Sequence, residues 1–152
     1  MSLEIAALFN TLQSHALETG LFERVNTHEP KNSPGNGLHC AIYFDSIEPA
    51  RGNSGLNSTT ARVVFNVRIY LSMLQEPQDN TDIDIILAVD ALYSAYSADF
   101  DMGANAKNID LLGASGNPMR AQAGYVDIGG KLHRVMTISI PVIVNDVWAQ
   151  VA

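Results

Sequence analysis

The alternation of apolar and polar residues is clearest between Arg62 and Leu74. A period of two predicts a β-strand whose apolar positions face the core and whose other positions form a second, more polar face. At about 3.3 Å per residue this strand would span roughly 43 Å, more than twice the common strand length. The apolar positions are Val63, Phe65, Val67, Ile69, Leu71 and Met73.

Two further alternating segments, Met119–Ile128 and Lys131–Val144, are separated only by Gly129-Gly130. A glycine pair between alternating segments is a strong hairpin signal, because glycine adopts the positive φ angles of a tight turn. Pro141 lacks a backbone donor, so we expect the second strand to be at an edge or bulged there. Gly124 predicts a bulge in the first.

Two segments have helical periodicity. Ser2–Thr19 is predicted to be a helix capped by Ser2 and stopped by Gly20, with one apolar face formed by Ile5, Leu8, Phe9, Leu12 and Ala16. Asp79–Phe100 is predicted to be a long helix with a capping box at Thr81–Asp84. Its apolar face is broad and should lie flat on a sheet; it comprises Ile85, Val89, Leu92 and Tyr96, widened by Ile86, Tyr93 and Phe100.

Two shorter strands, Leu38–Ile47 and Asn108–Leu112, and a short extended piece, Leu21–Asn26, complete the predicted elements. Glu48–Thr60 is predicted to be a mobile loop. The order of helix, strands, long helix and strands predicts an α+β fold with a mixed, mainly antiparallel sheet and two helices packed on it. The length of 152 residues suits a single domain over residues 1–152.

Composition narrows the classes of function. The formal net charge is −7 and the nine Lys and Arg are scattered, which disfavours a nucleic-acid-binding protein. Only 16% of residues are charged, which favours a surface that meets other protein. The one cysteine, Cys40, is expected to be a small buried apolar residue. We find no signal peptide and no membrane span, and expect an aqueous, reducing compartment.

Catalytic and metal motifs are weak in this sequence. His28-Glu29 could supply ligands, but a zinc site needs three or four. The acids Asp79, Asp82 and Asp84 lack the spacing of a calcium loop and suit a helix N-terminus. Gly113-Ala114-Ser115-Gly116 lacks the final glycine of a nucleophile elbow, because Asn117 stands there. We therefore predict no enzyme activity and no cofactor.

The more polar face of the long strand is the strongest candidate for contact with another protein. Arg62 and Arg68 lie on it together with Tyr70, and this mixture of arginine, aromatic and neutral polar side chains is typical of interfaces. The alternative is that the long helix covers this face and its acids pair the arginines. The other candidate interface residues lie in two predicted loops, His28–Gly37 and Glu48–Thr60: they are His28, Glu29, Lys31, Arg51 and Asn53.

Several segments, taken in order, resemble the tail-terminator proteins of long-tailed bacteriophages. They are Gly20-Leu21-Phe22, His28-Glu29-Pro30-Lys31, Arg68-Ile69-Tyr70, Glu76-Pro77, Val89-Asp90-Ala91-Leu92, Asp110-Leu111-Leu112-Gly113, Ala123-Gly124-Tyr125 and the run from Pro141 to Trp148.

This resemblance implies a structural subunit that closes into a homohexameric ring at the head-proximal end of the tail tube. Such a ring ends tube polymerisation and provides the surface to which the head docks. Its partners would be other copies of itself, the tail tube protein and a head-completion or connector protein. DNA would pass through without specific binding, since an acidic conduit repels it, and the protein would lie in the virion tail after assembly in the host cytoplasm.

Two other readings stay open at this point. The chain could be a neighbouring part of the same apparatus, such as a head-closure, neck or tail-tube subunit. It could also be an enzyme or small-ligand-binding domain, which would need polar groups that converge in one pocket. His28, Glu29 and the Asp79–Asp84 cluster are the groups to examine for that purpose.

Overall fold

A computed structural model describes residues 3–30, 35, 37–50, 58–73, 78–114 and 116–149. A short 3-10 helix at Gln78–Asn80 precedes the second α-helix. The elements in chain order are α1 (Ile5–Glu18), β1 (Arg24–Asn26), β2 (Leu38–Pro49), β3 (Ser58–Ser72), α2 (Thr81–Ala98), β4 (Asn108–Ile109), β5 (Arg120–Ile128) and β6 (Lys131–Ala149).

The strands form one sheet in the order β1-β2-β3-β6, and β4 and β5 both pair with the outer side of β6. Strand β1 runs parallel to β2, and every other pairing is antiparallel. The two helices contact the sheet and each other. The predicted α+β fold with a mixed, mainly antiparallel sheet and two packed helices is therefore confirmed.

The core lies between the helices and one face of the sheet, which we call the helix face. The predicted apolar positions of β3 from Val63 to Leu71 are all buried there. The Phe9 ring of α1 meets the Phe65 ring of β3 edge-on, with centroids 5.1 Å apart. The Tyr96 hydroxyl of α2 donates a hydrogen bond to the Leu12 carbonyl of α1 at 3.0 Å, so the helices are joined inside the core.

Cys40 is buried on the same face, as predicted. Burial raises the pKa of its thiol to about 12, so the thiolate that reacts with oxidants is scarce at neutral pH.

The predicted ends of the helices need correction. The first helix begins at Ile5 with Glu4 at its N-cap, and Ser2 lies outside the described residues. Gly20 follows α1 with φ 69°, the left-handed conformation expected of a helix stop. Helix α2 begins at Thr81 after Asn80, which makes no side-chain cap, so the predicted capping box is wrong.

The broad apolar face predicted for α2 is also wrong in part. Ile85, Val89, Leu92 and Tyr96 are buried, but Ile86 is 54% exposed. Phe100 is exposed as well, because the helix ends at Ala98 and the chain turns away. A helix that packs on one face of a sheet buries only one stripe of its surface, so apolar residues flanking that stripe stay in solvent.

The strands around the predicted loop Glu48–Thr60 are longer than expected. Strand β2 runs to Pro49 and β3 starts at Ser58, so both ends of that segment belong to the sheet. Residues 51–57, for which mobility was predicted, lie outside the described residues. Strand β6 continues to Ala149, five residues beyond the predicted end, whereas β4 is shorter than predicted.

Pro141 lies inside β6 without breaking its pairing with β3, where it faces Val64. The N–H and C=O of one strand residue point to the same side, and the Pro141 carbonyl accepts a bond from the Asp110 amide on the outer side. On that side β5 pairs only as far as Ser139 and β4 starts at Val142. The missing donor thus falls at a local edge, as predicted. The bulge predicted at Gly124 is wrong, because the β5–β6 register is continuous.

We predict that Tyr96→Phe lowers the free energy of unfolding by about 1 kcal/mol, because it removes a buried hydrogen bond while keeping the ring. Urea denaturation followed by circular dichroism measures the change. Tyr93→Phe on the same helix is the control, since Tyr93 is only partly buried, and it should change stability by less than about 0.5 kcal/mol. Equal effects of the two substitutions would contradict the assignment.

A second prediction concerns His15 and Asp99, which link α1 to the end of α2 with Nε2 and Oδ2 2.7 Å apart. The hydrogen bond from His15 lowers the pKa of Asp99 despite the opposing effect of its partial burial. A lowered folded-state pKa contributes stability above the unfolded value of roughly 3.9, and this contribution is lost as the pH falls through the folded-state pKa.

Asp99→Asn should therefore destabilise the protein by about 0.5–1 kcal/mol at pH 6, and the difference from the unsubstituted protein should shrink towards pH 3. Asp90→Asn, at an exposed position of α2, is the matched control. A difference that stays constant between pH 6 and pH 3 would rule out this linkage.

Candidate interaction surface

The face of the sheet opposite the helices is partly exposed, and we call it the open face. Strand register fixes its members, since residues paired across strands point to the same side. Its central side chains are partly buried or, at Gln122, exposed, and no described helix packs on it. They are Tyr43 of β2, Val64, Asn66 and Arg68 of β3, Thr137 and Ser139 of β6, and Gln122 of β5.

Arg68 organises one end of the open face. Its Nε donates a hydrogen bond to the Thr137 hydroxyl at 2.8 Å, and its guanidinium carbon lies 5.7 Å from the centre of the Tyr43 ring. Tyr70 is buried beside it, in a small apolar cluster with Ala41 and Val135. A guanidinium placed over one aromatic ring and bonded through Nε to one hydroxyl keeps its other N–H donors available for a partner.

The pKa values of Tyr43 and Tyr70 report which charges are near this cluster. Burial raises the pKa of both phenols, Arg68 lowers both, and the negative charge of Glu29 raises both again. Glu29 therefore lies within electrostatic range of the two rings. The segment after β1 and the strand β3 thus contribute opposite charges to one patch of the open face.

Arg62 lies on the same side of β3 but is only 5% exposed. Its Nε is 3.6 Å from Asp110 Oδ2, its Nη1 is 3.8 Å from Glu48 Oε1, and its Nη2 donates to the Asn117 carbonyl. Asp110 in turn accepts a bond from the Ala114 amide at 2.8 Å. Arg62 therefore fastens the segment between β4 and β5 to this end of the open face.

Gly116 shows how closely that segment packs on the guanidinium. A Cβ at position 116 would lie 2.7 Å from the Arg62 Cζ atom, closer than real contacts allow. The absence of a side chain at this position lets the backbone cover Arg62 directly.

A groove of about 430 Å³ runs along the open face between the Arg62 and Arg68 ends. Its walls are mainly neutral polar, with charges of both signs at the rim from Asp45, Glu48 and Arg120. A second hollow of about 320 Å³ lies beside Arg68, where β5 meets β6. Such a shallow polar surface suits contact with an extended protein segment better than enclosure of a small apolar ligand.

The residues predicted to form an interface do not all lie in one place. Arg68 lies beside Tyr70, and Glu29 lies within electrostatic range of Tyr70, whereas Arg62 is buried beneath the segment that covers it. His28 is exposed in the turn before Glu29. Lys31, Arg51 and Asn53 lie outside the described residues. The alternative that α2 covers this face is wrong, because α2 packs on the helix face and its Asp82 binds Arg134 at 3.0 Å.

Several residues of this surface were not predicted from the sequence. Tyr43 and Thr137 meet Arg68 through strand register, and Asn117 reaches Arg62 across 55 positions of sequence. His133, predicted only as a strand residue, is 1% exposed beside the Tyr70 ring. The alternation of β6 places it on the open side, but no local signal reveals its burial.

Groups for metal chemistry do not converge in the described part of the chain, where no cluster of three or more His, Cys, Asp or Glu side chains could hold an ion. Neither hollow described above is lined by His28, by Glu29 or by the acids at the start of α2. Among the described helices, none is both long and apolar enough to cross a membrane.

Comparisons with known proteins give one structural likeness to report. No family model and no curated protein matches the chain. The chain is similar to the sheath/tube terminator of an extracellular contractile injection system, PVC, in its extended state. The TM-score is 0.43 and the sequence identity 9%, over 99% of this chain. This chain covers 59% of that chain.

We predict that Arg62→Met lowers the free energy of unfolding by about 3–5 kcal/mol, because it leaves the buried Asp110 carboxylate without the adjacent guanidinium. Arg68→Met, on the same strand face, is the control and should cost no more than about 1 kcal/mol, since Arg68 is partly exposed. Chemical denaturation measures both. A smaller loss for Arg62→Met than for Arg68→Met would contradict this account.

Proposed function

We propose that this protein is a structural, non-enzymatic subunit that closes into a ring at the head-proximal end of a phage tail tube. The ring ends tube polymerisation and offers the surface to which the head docks. The observation that carries the proposal is the open face, which no described helix covers and which displays arginine, tyrosine and neutral polar groups. The order of sequence segments that resembles tail terminators supports the same function.

The chemistry of the open face favours protein contact over a solvated surface. A solvated face would not need Tyr43 and Val64, and a core face would not keep Arg68 and Asn66 half in solvent. Interfaces combine aromatic anchors and arginine with a rim of neutral polar groups. The groove gives such a partner a concave surface to occupy. Arg68, which bonds to Thr137 in the wall of the groove and lines the second hollow, supplies a charged donor beside it.

The acidic character of the chain agrees with a ring around a DNA passage. The net charge is −7, and the helix α2 carries Asp82, Asp84 and Asp90 with no basic residue. Negative charge keeps DNA from adhering to the wall of a conduit, the reverse of counterion-release binding. The partners of the ring are then further copies of the chain, the tail tube and a head-completion protein.

A charge reversal at Arg68 tests the open face. Arg68→Glu should change the unfolding free energy of the monomer by less than about 1 kcal/mol, because the side chain is partly exposed. Ring formation or capping of purified tail tubes should nevertheless fail, since the cationic donor on the open face is replaced by an acid. Native mass spectrometry at several concentrations and electron microscopy with tail tubes measure these outcomes.

Lys131→Glu makes the same change of charge at an exposed hairpin end and should leave ring formation intact. Discrete rings in micrographs would support the terminator, whereas long tubes would indicate a tail-tube subunit. A protein that stays monomeric at high concentration and in the presence of tail tubes would refute the proposed function.

A further inference from the structure

Two strand edges remain open at opposite sides of the sheet. Strand β1 pairs with β2 only at positions 39–41, so β2 has no strand partner on its outer side from Ile42 to Pro49 in the described part of the chain. Strand β5 pairs with β6 on one side, and no described strand occupies its other side. Unpaired edges present rows of backbone donors and acceptors and are templates for pairing with another chain.

Both edges are exposed. The β2 edge has a register shift at Asp45 and ends at Pro49, whereas the β5 edge lacks most of the features that usually protect an edge. All six residues of β2 from Phe44 to Pro49 are exposed, including Phe44 at 43% and Ile47 at 40%. No residue of β5 is fully buried, and the strand has no bulge, proline or lysine. Natural edges are normally blunted by such features, so a bare edge of nine residues calls for a partner strand.

The two edges are compatible in direction. Each step from β2 to β3, β6 and β5 is antiparallel, so β5 runs opposite to β2. If a neighbouring copy continues the sheet in the same orientation, its β2 lies antiparallel to this β5. An interface that joins two different edges is head-to-tail, and repeated head-to-tail contacts close into a ring when the rotation allows.

The side chains restrict the register, because helix-face residues of one copy must lie opposite helix-face residues of the next. On the helix face, Phe44 of β2 can then lie opposite Ala123 of β5, which pairs a large ring with a small side chain. The β2 strand has a register shift between Phe44 and Ser46. If Asp45 is left unpaired at this shift, Ser46 of one copy lies opposite Gln122 of the next, and Glu48 lies opposite Arg120. Opposite charges then meet on the open face.

We propose that neighbouring subunits join by pairing the β5 edge of one copy with the outer β2 edge of the next, with Arg120 opposite Glu48. This inference rests on the proposed ring and names its subunit contact. The contact adds backbone hydrogen bonds along both edges and covers Phe44 and Ile47. The open faces of successive copies then form one continuous surface around the ring.

Disulfide trapping tests this pairing. The double variant Ser46→Cys/Gln122→Cys places both new thiols at exposed positions on the open face. Within one chain they are separated by three strand spacings, roughly 14 Å, which is beyond the reach of a disulfide. Mild oxidation should therefore yield only interchain bonds, and non-reducing gel electrophoresis should show a ladder of covalent oligomers. The buried Cys40 should not contribute.

The control is Ser46→Cys/Ser94→Cys, in which the second thiol lies on the exposed side of α2. It should give at least tenfold less cross-linked product under the same conditions. If native mass spectrometry shows a ring but the Ser46→Cys/Gln122→Cys ladder is no stronger than the control, this edge pairing is wrong and the proposed function stands. If no oligomer forms alone or with tail tubes, both fail.

A charge substitution provides a second readout that does not depend on cysteines. Arg120→Glu should raise the concentration needed for ring formation at least tenfold, because it places two acids opposite each other. Lys107→Glu, an equal change of charge at an exposed position outside both edges, should leave that concentration unchanged. Equal effects of the two variants would indicate a general charge effect and would overturn the proposed Arg120–Glu48 contact.

Discussion

The backbone ladder between β3 and β6 determines the rest of the structure. It runs from Ser58 to Ser72 on one strand and from His133 to Ala149 on the other, with one irregularity near Thr59. This register decides which side chains enter the core under the helices and which remain on the open face. A slip of one residue would exchange the two faces and place Arg62 and Arg68 among the core residues.

Two arginines of β3 point to the open face, and they differ in burial: Arg62 is buried and paired, whereas Arg68 is partly exposed. Arg62 is enclosed by Asp110, Glu48 and the backbone at Gly116 and Asn117. Its guanidinium therefore makes contacts within the chain rather than with a partner. Arg68 donates to the Thr137 hydroxyl, lies over the Tyr43 ring and interacts with the Tyr70 side chain. Burial of a paired charge contributes structural specificity, whereas a half-solvated guanidinium keeps the capacity to bind a partner.

The sequence predicted the fold class, the two faces of β3 and the hairpin of β5 and β6, because strand alternation and glycine turns are local signals. It did not predict that Ile86 stays exposed, since periodicity cannot show how much of a helix a flat sheet will cover. Arg68 and Tyr70 share a face by strand period alone. The burial of Arg62 and the approach of Tyr43 and Glu29 depend on contacts between distant segments, for which a single sequence carries no local pattern.

Pro141 lies between the two strands that pair with the outer side of β6. Because it offers no amide hydrogen, the outer side of β6 is divided into two separate ladders, with β5 bonded to residues 131–139 and β4 to residues 142–143. Detaching β5 therefore breaks none of the bonds that hold β4. We therefore expect β5 and β4 to open as two separate units, so that the backbone amides of β5 exchange with solvent while those around β4 stay protected.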